Sequence, residues 1–230
     1  MSNDDNTRFR ELTREWFLES CRQRYSYRFT WMGRPIIQYP QDIVAMQELI
    51  WRLEPDLIIE TGIAHGGSLV FYASMLELLG GDRRVLGIDI DIRAHNRTAI
   101  DSHVMRKRID MIEGSSIAPD IVSQVRELAA GRKRVMVILD SNHTHEHVLA
   151  ELRAYGELVT PGSYLVVFDT VVEDMPDQCF PDRPWRRSNS PKSAVHAFLS
   201  ETKRFELDHE IEERLMITVS PDGFLRCVGP

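Results

Sequence analysis

Two short apolar runs in this chain each end in an aspartate. Val135 to Asp140 continues into Ser141-Asn142-His143, and Tyr164 to Asp169 continues into Thr170. If the runs are neighbouring parallel strands, the two carboxylates converge at their tips. Left without a cation they repel, and one stays protonated. A hard divalent ion such as Mg²⁺ resolves that conflict with oxygen ligands and water. An ion held this way can bind a hydroxyl and stabilise the alkoxide made from it. His143, three residues past Asp140, is spaced to take the proton. The plainer reading makes Asp140 a helix cap and His143 a surface residue. His145 and His147 run on into the predicted helix as solvated side chains, which gives zinc little support.

A second constellation is Glu60-Thr61-Gly62-Ile63-Ala64-His65-Gly66-Gly67-Ser68, a turn between a predicted strand and a predicted helix. Glycines let backbone approach a ligand, and the helix start offers free N–H groups. The spacing is GxxxGG, not the GxGxxG of a dinucleotide site. An acid before the first glycine sits poorly beside a pyrophosphate but suits a ligand carrying a cation or an amino acid. S-adenosylmethionine, with its sulfonium and amino groups, is such a ligand. Glu60, Thr61, Gly62, His65, Gly66 and Ser68 are therefore read as cofactor-binding, together with Asp140. The next predicted strand ends at Asp89, 27 positions beyond Gly62, where a carboxylate can accept from both ribose hydroxyls. Asp91 reads as a helix N-terminal residue. Ser115 and Ser116, after the third predicted strand, suit the edge of an adenine, although serine there also serves as a cap.

The elements that must position these residues follow from periodicity. Ile43 to Leu53 has helical spacing and stops before Pro55. Strand-like runs at 56–60, 85–90, 109–113, 135–140 and 164–169 alternate with helix-like stretches at 67–80, 93–106, 118–130 and 144–158. That alternation predicts βαβ units and a doubly wound parallel sheet. Phe205 to Ile211 and Leu215 to Val219 read as an antiparallel hairpin closing it. Five parallel strands with such a hairpin point to a methyltransferase-type Rossmann relative. Residues 1–35 read as an N-terminal extension, one helix followed by an irregular aromatic stretch, docked on the domain or forming a wall of a substrate pocket. The domain proper spans 36–230. Its segment 171–191, with four prolines and little periodicity, reads as a lid. Trp185, Arg186 and Arg187 in it are candidates for holding a sugar or an anionic group, or plain surface ion pairs.

Several stretches carry a more specific resemblance. GRPIIQYPQDIVAMQELIWRLEPDLIIETGIAHGGSLVFYASML, LGIDIDIR, LDSNHTHEHVLAEL and PGSYLVVFDTVVEDMPD resemble the cephalosporin hydroxylase family, which also includes rhamnosyl O-methyltransferases. The resemblance runs from about residue 30 to the end. It implies a Rossmann-like class I fold, with a mostly parallel seven-stranded sheet and helices on both faces. It also implies S-adenosylmethionine-dependent O-methylation of a sugar or natural-product hydroxyl. Its cephalosporin branch carries a divalent metal on carboxylates that map to Asp140 and Asp169. This chain departs from that branch at Phe168, where the branch has a second acid, so the third ligand passes to Thr170, water, Glu173 or Asp174. The same strand ends are similar to catechol-type O-methyltransferases, whose pattern maps to Asp140, Asp169 and Thr170 as ligands and His143 as base.

Composition narrows the alternatives. The chain has 230 residues, 43% hydrophobic and 27% charged, enough for one α/β domain with a sizeable core. With 28 Lys+Arg against 35 Asp+Glu the formal charge is −7, which disfavours nucleic acid as a partner. No run reaches the roughly 18 apolar residues of a membrane span. Cys21, Cys179 and Cys227 stand too far apart for a paired framework, which fits a reducing cytoplasm. The aromatic N-terminal region and the resemblance together suggest a homo-oligomer. Two competing readings are an NAD-dependent oxidoreductase in the same nucleotide pocket and a cofactor-binding relative that has lost catalysis.

Overall fold

Every residue of the central apolar runs is buried, so their side chains must be shared between two covered faces of a sheet. The computed structural model describes residues 3–229. Helix α1 (Asn3–Arg22) is followed by strands β1 (Phe29–Trp31) and β2 (Arg34–Ile36) and helix α2 (Pro40–Leu53). The alternating part runs β3 (Leu57–Thr61), α3 (Gly67–Leu79), β4 (Arg84–Asp89), α4 (Ala94–Asp101), β5 (Ile109–Glu113) and α5 (Pro119–Ala129). It continues through β6 (Val135–Leu139), α6 (His145–Tyr155) and β7 (Tyr164–Val167). The chain closes with α7 (Pro191–Glu201), β8 (Phe205–Leu207), α8 (His209–Leu215) and β9 (Phe224–Cys227).

Seven strands form one sheet in the order β5-β4-β3-β6-β7-β9-β8. Strands β3 to β7 are parallel, while β9 is antiparallel to β7 and to β8. Alternation sorts the core into two layers. Ile58, Val85, Met136, Ile138 and Val166 pack with α2 and α3. Leu57, Ile59, Leu86, Val137 and Leu165 pack with α5, α6 and α7. The order reverses beside β3, so its carboxyl end and that of β6 open onto the crevice where ligands bind in such sheets.

The closing hairpin is present, but its second strand is not the one read from the sequence. Residues 209–215 form α8, and the partner of β8 is β9, inserted between β7 and β8. Glu210, Glu212, Glu213 and Arg214 favour helix while Ile211 supplies its buried contact. The turn into β9 uses Asp222 at φ 58° and Gly223, where a Cβ would stand 2.3 Å from the Val167 carbonyl oxygen. The predicted helix over 93–106 also divides: α4 ends at Asp101, and a 3₁₀ turn over Val104–Arg108 follows. Asp91 lies ahead of α4 and does not open it.

The N-terminal segment is tied to the domain. Met32 and Gly33 both take positive φ, the two-residue turn that suits a right-twisted hairpin, and join β1 to β2. Trp31 packs edge-on to Phe71 of α3 at 4.7 Å and donates to Ser74 Oγ at 3.0 Å. In α1, Phe17 is buried against Tyr39 and Met175, and Ser20 shares a 2.7 Å hydrogen bond with the Tyr39 hydroxyl. No helix among the described residues is long and apolar enough to cross a membrane, and all three cysteines are free thiols.

The β2–α3 contact depends on Gly67, where a Cβ would lie 2.1 Å from the Pro35 carbonyl oxygen. Gly67→Ala should cost roughly 1–3 kcal/mol, the scale of an overpacked core, read as a lower urea midpoint with unchanged slope. An unchanged midpoint would mean that the hairpin yields freely.

Candidate active site

At the end of β3 the chain turns through Gly62 (φ 94°) and Gly66 (φ 79°) into α3. A Cβ on Gly62 would stand 2.1 Å from the Asp140 carbonyl oxygen, so this loop and the tip of β6 are in direct backbone contact. Asp89 Oδ2 accepts from the amides of Ile63 (2.7 Å) and Ala64 (3.2 Å), and its Oδ1 accepts from the Asp91 amide (3.1 Å). Three of a carboxylate's roughly four acceptor positions are thereby used. Asp89 thus shapes the loop. Arg34 braces the loop from β2 by donating to the His65 carbonyl (3.0 Å) and to Asn96 Oδ1 (3.0 Å), and Asn96 donates in turn to the Ala64 carbonyl (2.8 Å). It is the His65 backbone, with its ring half-buried, that takes part in this bracing.

Beneath the loop lies a buried polar pocket. Ser68 Oγ donates to Glu60 Oε2 at 2.7 Å, and burial pushes the Glu60 carboxyl up to about 8. Tyr72 from α3 lies against it, and Gln38 lies against Tyr72. Glu60 Oε1, Thr61 Oγ1, the Tyr72 hydroxyl and both amide atoms of Gln38 are buried without a well-formed partner. Such atoms are scarce in folded proteins and mark places where water or ligand completes the bonding. Gln38 and Tyr72 escape the sequence reading because neither belongs to a spaced motif.

At the tips of β6 and β7 the two predicted aspartates come together. Asp169 sits just past β7 in the left-handed region (φ 56°), and its Oδ2 lies 3.1 Å from His143 Nε2. One ligating atom from each of Asp140, His143 and Asp169 falls within 4.8 Å of the other two, a donor set that can hold a metal ion. Burial, then the charges of Asp169, Glu60, Glu151 and Asp42, raise the Asp140 carboxyl well above its ordinary value. Trp185 of the 171–191 segment packs edge-on to His143 at 4.7 Å, with Arg183 stacked over its face at 5.0 Å.

Thr170, the third ligand read from sequence, is bonded within the fold. Thr170 is fully buried and its hydroxyl donates to the Pro221 carbonyl at 2.6 Å. Phe168 is buried in the core layer that faces α2 and α3. Glu173 caps the Ser188 amide and the Ser190 hydroxyl, and Asp174 pairs with Lys192 at 2.6 Å. Both acids therefore serve the fold of the segment.

Neither His145 nor His147 is solvated as the sequence suggested. His145 Nδ1 meets Ser193 Oγ at 2.8 Å, linking α6 to α7. His147 Nε2 lies 3.1 Å from Ser116 Oγ and 3.4 Å from Glu151 Oε1. Ser116 is buried and donates to Glu151, while Ser115 is half-buried with its carbonyl accepting from Ala118. Glu151 and Asp42, both fully buried acids, were not legible from sequence. Burial pushes Asp42 up to about 7 against hydrogen bonds from Thr218 and Val219. Beyond Asp169, α1 and the 171–191 segment enclose a cavity of about 340 Å³ lined by Arg14, Phe17, Leu18, Val171, Met175 and Arg187.

The family described as Rhamnosyl O-methyltransferase/CmcI matches residues 23–228. The chain belongs to that family. The Rhamnosyl O-methyltransferase of Mycobacterium leprae is 33% identical over 198 residues, covering 85% of this chain and 82% of the relative. The Mycobacterium tuberculosis H37Rv protein of that name is 31% identical over 199 residues, covering 85% and 77%. Among solved structures, CmcI with Mg and SAM superposes with a TM-score of 0.60 at 19% identity, covering 88% of this chain and 78% of CmcI. An O-methyltransferase from Bacillus cereus in complex with SAH gives 0.55 at 15% identity, covering 85% and 82%. These likenesses establish the Rossmann-like class I methyltransferase fold in this member of the CmcI family.

Glu60 gives the site a measurable pH signature. Its folded pKa lies above the ordinary value of 4.5, so its contribution to stability is complete below that value and is lost as pH rises through about 8. Glu60→Gln should therefore flatten the fall in urea stability between about pH 5 and pH 9. Parallel pH profiles for wild type and variant would contradict the buried, protonated carboxyl.

Proposed function

We propose that this chain is an S-adenosylmethionine-dependent, Mg²⁺-assisted O-methyltransferase acting on a hydroxyl of a sugar or natural product. The observation that carries the reading is the convergence of Asp140, Asp169 and His143 beside a glycine loop whose backbone touches Asp140. Family membership and the names of its relatives support the reaction class. The glycine loop with Glu60, Thr61, Gly62, His65, Gly66 and Ser68 holds the donor. Asp89 serves its ribose, Ser115 and Ser116 its adenine edge, and Asp140 lies beside it at the tip of β6. Asp140 and Asp169 hold the divalent ion, which when bound lowers the pKa of a ligated hydroxyl. The donor cofactor supplies the methyl group.

The remaining chemistry belongs to the chain. His143 accepts the hydroxyl proton on its imidazole, placed beside Asp169 and walled by Trp185. The rigid tips of β3, β6 and β7 align donor and acceptor for in-line transfer. The acceptor enters through the cavity between α1 and the 171–191 segment, so α1 of the N-terminal extension forms part of its wall while the domain that follows holds the cofactor. The acceptor is a small molecule, not nucleic acid. Exposed Phe9, Leu12 and Trp16 along α1 suit contact with a second copy, and three free thiols suit the cytoplasm.

Asp140→Asn should lower turnover about a hundredfold or more while S-adenosylhomocysteine affinity by calorimetry stays within a few-fold, the scale of losing an electrostatic stabiliser. An equal loss of cofactor binding would move Asp140 out of the reaction centre. His143→Ala should lose roughly 10² to 10⁴ in rate, with the deficit shrinking at high pH. An unchanged rate would assign proton removal to the metal and solvent.

A further inference from the structure

The crevice holds a buried carboxylate, Glu151, that the proposed reaction does not use. Glu151 lies in α6 with no exposed surface, and one of its oxygens, Oε1, accepts from Ser116 Oγ at 2.5 Å and from Ser141 Oγ at 2.7 Å. The two serines come from different loops, one after β5 and one after β6. In the sheet these strands are separated by β4 and β3. Three inter-strand steps of about 4.8 Å would set their axes roughly 14 Å apart. Sharing one oxygen draws the two hydroxyls to within about 5 Å of each other. The loops therefore lean toward each other over the tips of β3 and β4, and Glu151 is the group that joins them.

One stripe of α6 is given over to this junction. His147, Glu151 and Tyr155 are spaced i, i+4 and i+8 and fall on the same face. His147 Nε2 approaches both serine hydroxyls, and the Tyr155 hydroxyl donates to the Ser116 carbonyl. The second oxygen of Glu151 is buried with no partner, a cost that a purely structural core position would not be expected to carry. An apolar residue of similar volume would fill the space without stranding a polar oxygen, but it would not hold the serines.

We propose that Glu151 is a positioning residue for the donor nucleoside: by tying Ser116 to Ser141 it sets the gap between the two loops that receive adenosine. This rests on the reading that Ser115 and Ser116 border the adenine. It assigns Glu151 no contact with the reacting atoms, so its loss should appear in donor affinity and not in the chemical step. The carboxylate acts as an acceptor for two hydroxyls, and a glutamine carbonyl can take over that part.

The test is calorimetric titration of the full-length protein with S-adenosylhomocysteine, together with steady-state kinetics in S-adenosylmethionine. Glu151→Ala should weaken S-adenosylhomocysteine about tenfold and raise KM for the donor in step, with kcat and Mg²⁺ affinity within about threefold of wild type. Glu151→Gln should recover most of the affinity. Ser141→Ala, which removes one strut and leaves the carboxylate in place, should weaken the ligand several-fold and covers the case of an alanine variant that does not fold. Donor affinity unchanged in Glu151→Ala, or in Ser141→Ala if the former is unfolded, would overturn the proposal. A loss confined to kcat, or a glutamine variant no better than alanine, would do the same. A wild type that fails to bind S-adenosylhomocysteine would overturn the proposed function along with it.

Discussion

Asp140 brings its carboxyl to a point where burial and four other acids, Asp169, Glu60, Glu151 and Asp42, all oppose its ionisation. Much of the architecture around β3, β6 and β7 follows from managing that concentration of negative charge. Charges close together in a low-dielectric interior repel strongly, so each acid must keep its proton, find hydrogen-bond donors, or meet a cation. Glu60 and Asp42 take the first course, with carboxyls pushed up to about 8 and about 7. Glu151 takes the second through two serine hydroxyls. For Asp140 and Asp169, with His143 between them, the third course is open: a divalent ion relieves the repulsion that the fold creates.

The same contacts make donor and metal sites one unit. Gly62 has no side chain, and the Asp140 carbonyl occupies the space that a Cβ would need. Asp89 gathers the loop amides from one side, and Arg34 grips the loop from the N-terminal hairpin on the other. A shift of the cofactor loop is thus felt at the tip of β6. The 171–191 segment is fastened to the same centre through Trp185 on His143 and through Glu173, whose carboxylate holds the run from Ser188 to Ser190.

Legibility in the sequence followed the range of the interactions. The five parallel strands, the glycine turn and both strand-tip aspartates were readable because each is coded by local apolar runs or by residues at fixed offsets. The hairpin was misplaced because residues 209–219 mix apolar and charged side chains without a clean period, and their helix is fixed by packing Ile211 into the core. Likeness to catechol-type O-methyltransferases points Thr170 at the metal, but the sequence does not show that its hydroxyl also donates to Pro221, 51 residues away in the chain. Glu151, Gln38 and Tyr72 were invisible because their meaning lies in contacts across elements. His147 looked solvated only until β5 and β6 were set beside α6.

The central claim, that Asp140 and Asp169 share one divalent ion beside the bound donor, is tested most directly by titrating the S-adenosylhomocysteine-saturated protein with Mn²⁺ and following the free ion by electron paramagnetic resonance. The account expects a single competitive Mg²⁺/Mn²⁺ site per chain that disappears in Asp169→Asn while S-adenosylhomocysteine binding persists. Ion binding that survives this substitution, or no ion binding by the wild type, would contradict it.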